Sequence, residues 1–141
     1  MYRKHKHDML VILSLVGFAD SVYLATSHYL GFTVPCDITK GCEVVLSSKY
    51  SMLFGLPLAV WGAGFFIAVI VASLLANHYS NWKKYLTALL SLGSIVSAVL
   101  LCIQFFVLRK VCQYCLLTDL LVIVLLLFDL NIEHKKNIEQ N

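Results

Sequence analysis

Four apolar stretches, each long enough to cross a lipid bilayer, constrain this chain more than any other feature. A helix needs about 20 mostly apolar residues to span the hydrocarbon core. Runs of that kind lie at about 9–30, 56–77, 85–108 and 111–130. A backbone in lipid must satisfy its own hydrogen bonds, so each run is read as a helix. With 60% hydrophobic and 13% charged residues and a mean hydropathy of +0.81, the chain departs from soluble domains, which are about half apolar and about a quarter charged. A soluble domain of 141 residues has too little interior to hide these side chains. The expected fold is an all-α integral-membrane bundle of four transmembrane helices, one domain over 1–141. Pro57 suits the opening of the second helix. Basic residues precede the first run, as in a signal peptide. That run carries Asp20, Tyr23 and His28 and has no small-residue cleavage site, so it is read as retained. The net charge of +3 gives no reason to expect a nucleic-acid partner.

Four spans bring both termini to one side, and lysine and arginine set which side. Arg3, Lys4, Lys6, Lys83, Lys84, Lys135 and Lys136 fall with the termini, against Lys40, Lys49, Arg109 and Lys110 on the opposite side. The bias predicts a multi-pass protein of the cell inner or plasma membrane with cytoplasmic termini. The loop of about 31–55 and the corner at Arg109–Lys110 then face outward.

Four of the five cysteines gather at that outer, oxidising face. Cys112-Gln-Tyr-Cys115 opens the fourth helix behind Arg109 and Lys110. A helix N-terminus leaves N–H groups unpaired and carries partial positive charge, which favours thiolate. Positions i and i+3 share a face, so both thiols address one pocket. Two buried helical cysteines without chemistry are the other reading. Cys36 and Cys42 lie in the outer loop, with Pro35 before the first and Gly41 before the second. They form either a cycling disulfide or a static bridge. Two pairs at one face allow thiol–disulfide exchange between them. Cys102, inside the third run, reads as a packing residue. A non-catalytic scaffold with a structural loop disulfide, or a cysteine-based metal or redox sensor, stand as rivals.

Asp20 lies near the middle of the first run, where charge is costly. It is either functional or hydrogen-bonded to a neighbouring helix. His28 reads as an interface residue, as does Asp129. Asp119 follows Cys115 by one turn, for proton handling or for a bond to a nearby Ser or Tyr. Cys42, Val45 and Leu46 share a helical face, which predicts a short amphipathic helix over the bundle mouth; an irregular loop is the alternative.

Together these parts resemble the vitamin K epoxide reductase family, most closely its prokaryotic branch. The resemblance rests on Cys36-x5-Cys42, "GCEVVLSSKY", "FGLPLAVWG", "CQYC" opening the last helix, and "GFADSVYLATSHY" in the first. It implies a four-helix bundle around a quinone, ubiquinone or menaquinone, and no metal. Cys112 and Cys115 would be the active-site pair, with Cys112 the more exposed and Cys115 nearest the quinone. Cys36 and Cys42 would be the shuttle pair. Ser48 is expected near the quinone head group, although neighbouring Ser47 could be the inward one. Phe54, Gly55 and Pro57 match the segment that re-enters the membrane, so Phe54 and Asp119 join the expected quinone site. Vertebrate members carry tyrosine where this chain has Asp119, and their loop cysteines are spaced more widely. The implied activity is therefore oxidation of thiols in exported proteins. Many prokaryotic members carry a fused thioredoxin-like domain. This chain ends at Asn141 without one, so a separate thioredoxin-fold partner outside the cytoplasm is expected.

Overall fold

Each of the four apolar runs is a helix in the computed structural model, which describes residues 2–38 and 40–141, with the side chains of residues 2–4 outside that description. Arg3 and Lys4 of the charge bias thus lie outside the described side chains. Helix α1 spans Tyr2–Leu30, and the short α2 spans Cys42–Ser47. A 3-10 turn at Lys49–Ser51 leads into two-residue strands β1, Met52–Leu53, and β2, Leu56–Pro57. Helix α3 covers Leu58–His78 and α4 Trp82–Cys102, which continues as a π-helical stretch at Ile103–Leu108; α5 covers Gln113–Gln140. The four long helices are long and apolar enough to cross a membrane, and the protein is an all-α membrane bundle.

Several helices outrun their apolar cores. α1 starts at Tyr2 rather than near 9, α4 at Trp82 rather than 85, and α5 reaches Gln140 rather than 130. Hydropathy marks only the part in lipid. The flanking Arg, Lys, Glu and Gln residues are good helix formers, so the backbone pattern continues into water. Two starts fall later: α3 begins after Pro57 and α5 after Cys112, each the residue that caps its helix.

α1 packs against α3 and α5, and α4 packs against the same two, so the helices run α1, α3, α4, α5 around the bundle. Leu10, Phe66, Val69, Leu86, Leu90 and Leu125 form the core. Most come from the half of the bundle nearer the termini. Helix association in lipid relies on close packing, because lipid tails are as apolar as leucine. Gly17 supplies the clearest case, since a Cβ there would collide with the Phe66 ring. Polar clasps add to the packing. The Thr87 hydroxyl donates to Asp129 at 2.5 Å, so Asp129 joins α4 to α5. Thr118 of α5 bonds Asp20 of α1. Asp20 is therefore hydrogen-bonded to a neighbouring helix, the second of its two sequence readings. Ile12, Leu15, Val71, Leu74, Val99 and Leu127 stay exposed on the outer faces, where lipid is their solvent.

The outer half is built differently. The loop folds back over the bundle mouth, and the expected amphipathic helix is α2, with Cys42 and Val45 on its buried side. The strands then form an antiparallel hairpin with Met52 opposite Pro57 and Leu53 opposite Leu56.

Candidate active site

The lid helix α2 presses Cys42 and Val45 onto Cys112, with Leu46, Leu108, Tyr114 and Cys115 packed around them. Two contacts seat it there. Gly41 lies so close to Val111 that a Cβ would come 2.5 Å from its carbonyl oxygen. The Ile38 N–H donates to Gln113 Oε1 at 3.3 Å. Cys36 and Cys42 are joined as a disulfide, whereas Cys112 and Cys115 are free thiols.

Cys112 is the N-cap of α5, a place usually held by a side-chain oxygen. Here the sulfur does that work and accepts the Cys115 N–H at 3.3 Å. Its carbonyl accepts the Leu116 N–H at 2.9 Å, the first bond of the helix. Its own N–H donates to Gln104 Oε1 at 3.1 Å. Gln104 sits in the π-helical stretch, and left-handed Arg109 (φ 51°) closes that stretch before the chain turns toward α5. Such π turns are frequent at functional sites.

The exposure order of the pair differs from the expectation, while Cys115 lies deeper along the helix as expected. Cys112 is 0% exposed, while Cys115 is only partly buried. Cys112 tops the helix, but the lid covers it; Cys115 borders the space below. A hydrogen bond from the Cys115 thiol pulls the Cys112 thiol below its ordinary pKa, helped by backbone N–H bonds and opposed by burial.

Beneath the thiols the bundle holds a half-open cavity of about 280 Å³. Pro57, Trp61, Phe65, Phe66 and Leu100 supply apolar walls, and Cys115, Ser48, Gln104, Thr118 and Asp119 supply polar points. Asp119 also meets the Ser97 hydroxyl of α4. Ser48 lines the cavity, with its hydroxyl donating to the Val45 carbonyl at 2.7 Å. Ser47 is exposed and bonds the Glu43 carbonyl at 2.6 Å.

Phe54 is not brought to the cavity. Phe54 and Gly55 both have positive φ, 53° and 80°, the signature of a type I′ hairpin turn. That turn puts Phe54 at the hairpin tip, 88% exposed, with its ring 6.2 Å from that of Trp61. Cys102 is also corrected: it is exposed on the outer face of α4 rather than packed inside. His28, read as an interface residue, lines the cavity as well. Gln104 and Gln113 carry the contacts that the sequence reading missed. The available signal was a lone Gln in the apolar run "LLCIQFFVL", since polar residues within spans mark functional positions.

Compared with known families, residues 9–130 match the vitamin K epoxide reductase family. The chain belongs to the vitamin K epoxide reductase family. Membership makes it a multi-pass membrane thiol–disulfide oxidoreductase, and the two cysteine pairs stacked at one end of the bundle suit that chemistry. Among the described residues, no group of three or more His, Cys, Asp or Glu could hold a metal ion.

Proposed function

We propose that the protein oxidises the dithiol of a separate thioredoxin-fold partner at the outer face and passes the electrons through both cysteine pairs to a membrane quinone. The observation that carries this reading is the position of the four cysteine sulfurs. The loop disulfide lies against covered Cys112, and Cys115 borders the cavity. A mostly apolar slot with a few polar points fits a flat ring with two oxygens. Cys115 and Asp119 would face the quinone's polar end with Ser48 at its border, and Trp61, Phe65 and Phe66 would face its apolar body.

In this reading the partner's thiolate attacks Cys36, the less buried loop sulfur. The Cys36–Cys42 bond breaks and Cys42 leaves as thiolate. The partner's second thiol displaces Cys36, so the partner departs as a disulfide and the loop pair holds two electrons. Cys42 then attacks Cys112 of an oxidised helix pair, and Cys115 leaves as thiolate. Cys36 resolves the Cys42–Cys112 bond, which restores the loop disulfide and leaves Cys112 and Cys115 reduced. Reforming the Cys112–Cys115 bond releases two electrons and two protons beside the cavity. A quinone held there by the cavity residues would supply the acceptor for both. Each exchange needs an accessible sulfur and a good leaving thiolate.

The test is quinone reduction by purified protein supplied with a reduced thioredoxin-fold donor. One quinone should be reduced for each disulfide formed in the donor. A donor that stays reduced, or a quinone that stays oxidised while the donor is consumed, overturns the reading.

A further inference from the structure

The side chain of Gln104 is 4% exposed, yet only half of its amide is used. A backbone N–H can only donate, so the atom that receives the Cys112 N–H at 3.1 Å is the Gln104 oxygen. That bond fixes which way the amide faces and turns its NH2 group away from Cys112. The NH2 group makes no hydrogen bond among the described residues. It is not sealed in protein either: the buried polar atoms left without a partner among the described residues are His7 Nδ1, Ser73 Oγ and Ser94 Oγ. His7 has another contact elsewhere on the residue. Gln104 lines the cavity below Cys115.

Quinone oxygens accept hydrogen bonds and donate none. Several of the cavity's hydroxyl and indole donors are committed, Ser21 and Tyr50 being the lining hydroxyls outside that set. Ser48 donates to the Val45 carbonyl at 2.7 Å, Ser51 to the Leu46 or Ser48 carbonyl at 2.7 Å, and Trp61 to the Leu53 carbonyl at 3.2 Å. Thr118 is engaged by Tyr114 and Asp20. We infer that Gln104 is a quinone-binding residue: its NH2 group donates to a quinone oxygen while its carbonyl oxygen holds the backbone of Cys112, so that one side chain ties the acceptor to the reactive pair. The inference rests on the quinone reading above. It adds a donor that the motif-based choice of Ser48 does not supply, because the Ser48 hydrogen is already spent.

The experiment titrates detergent-solubilised full-length protein with a short-chain ubiquinone. Binding is read by quenching of tryptophan emission, since Trp61 lines the cavity. Infrared difference spectra with carbonyl-labelled quinone report hydrogen bonding directly. Wild type should show one quinone carbonyl band lowered in frequency. In Gln104→Met that band should rise toward the free value, and Kd should rise about tenfold, equivalent to about 1.4 kcal/mol. Should Gln104→Met fail to fold, Gln104→Glu carries the comparison at a pH where infrared shows its carboxylate ionised. That group keeps an acceptor for Cys112 and has no hydrogen to give, so the same band shift is expected. Wild-type binding together with unshifted bands and unchanged Kd in the variants overturns the Gln104 assignment alone. A wild type that binds no quinone overturns the quinone reading itself.

Discussion

Cys112 and Cys115 are three positions apart, yet their surroundings share little. One is sealed under the lid and serves as a helix cap; the other looks into the cavity. The Cys115 thiol donates to Cys112 and stabilises its thiolate, with backbone N–H groups adding to the effect. A lowered pKa means that thiolate is present at lower pH. In the reduced protein, the pH profile of Cys112 alkylation, followed by mass spectrometry of the Cys112 peptide, should therefore have its midpoint below that of an ordinary thiol. Cys115→Ala removes the largest stabilising contact, so the midpoint should move to higher pH. An unmoved profile would show that the thiol–thiol bond does not set Cys112 reactivity. Ser48 makes a second case. It borders the cavity while bonding the lid backbone. Ser48→Ala should weaken quinone reduction several-fold, the effect of a bond worth about 1 kcal/mol, with a smaller effect on thiol exchange with the partner. Parallel steady-state assays of the two half-reactions would separate these effects, and equal loss in both would reduce Ser48 to a lid residue.

The lid is the element on which the proposed relay depends. Its seat is tight at Gly41, where a Cβ would meet the Val111 carbonyl at 2.5 Å and its nitrogen at 2.9 Å. Both neighbours are backbone, so neither can swing aside as a long side chain would. Gly41→Ala should lift α2 from the mouth of α5 at an overpacking cost of about 1–3 kcal/mol. Quenched-flow alkylation should then show the Cys36–Cys42 bond reduced by the partner at the usual rate, with electrons reaching Cys112 more slowly. An unchanged second rate would mean that the lid does not need this seat. The same packing sets the trapped species. Cys42 and Cys112 are both 0% exposed and belong to one cluster. Cys36→Ala removes the thiol that resolves a bond between them, so that protein should accumulate a Cys42–Cys112 disulfide. Accumulation of Cys42–Cys115 instead, seen in digested and alkylated protein, would reverse the relay order.

The molecule as a whole has a packed half and a hollow half. The core of Leu10, Leu86, Leu90 and Leu125 fills the half nearer the termini, the cavity and thiols occupy the other, and Phe66 belongs to both. That division gives the proposed direction of electron flow a structural basis, from water through the lid to the slot and its lipid surroundings. It also ties the chemistry to orientation, since the loop pair must meet an oxidising compartment. The excess of Lys and Arg near the termini predicts that Asn141 is cytoplasmic. A reporter fused at Asn141 that is active only outside the cytoplasm should give no signal, and a strong signal would overturn both the orientation and the disulfide-forming direction.

Hydropathy and motif order were enough to read the bundle and the family. Four spans of helical length leave a lipid-embedded backbone few alternatives, and the motif order from Cys36 to Cys115 matches one family. The short lid helix was also visible, because Cys42, Val45 and Leu46 recur on one helical face. Which thiol is covered was not. Spacing places Cys112 at a helix mouth, but only the docking of α2 from seventy residues earlier in the chain covers it and leaves Cys115 as the open thiol. Phe54 belongs to a matching motif, yet the paired positive φ values of its turn carry the ring out of the cavity. Gln104 looked like one polar residue in an apolar run until the π-helical turn brought its oxygen to the Cys112 N–H. Periodicity along a chain fixes which face a residue occupies, whereas a hydrogen bond or a covered thiol depends on what other segments bring to that face.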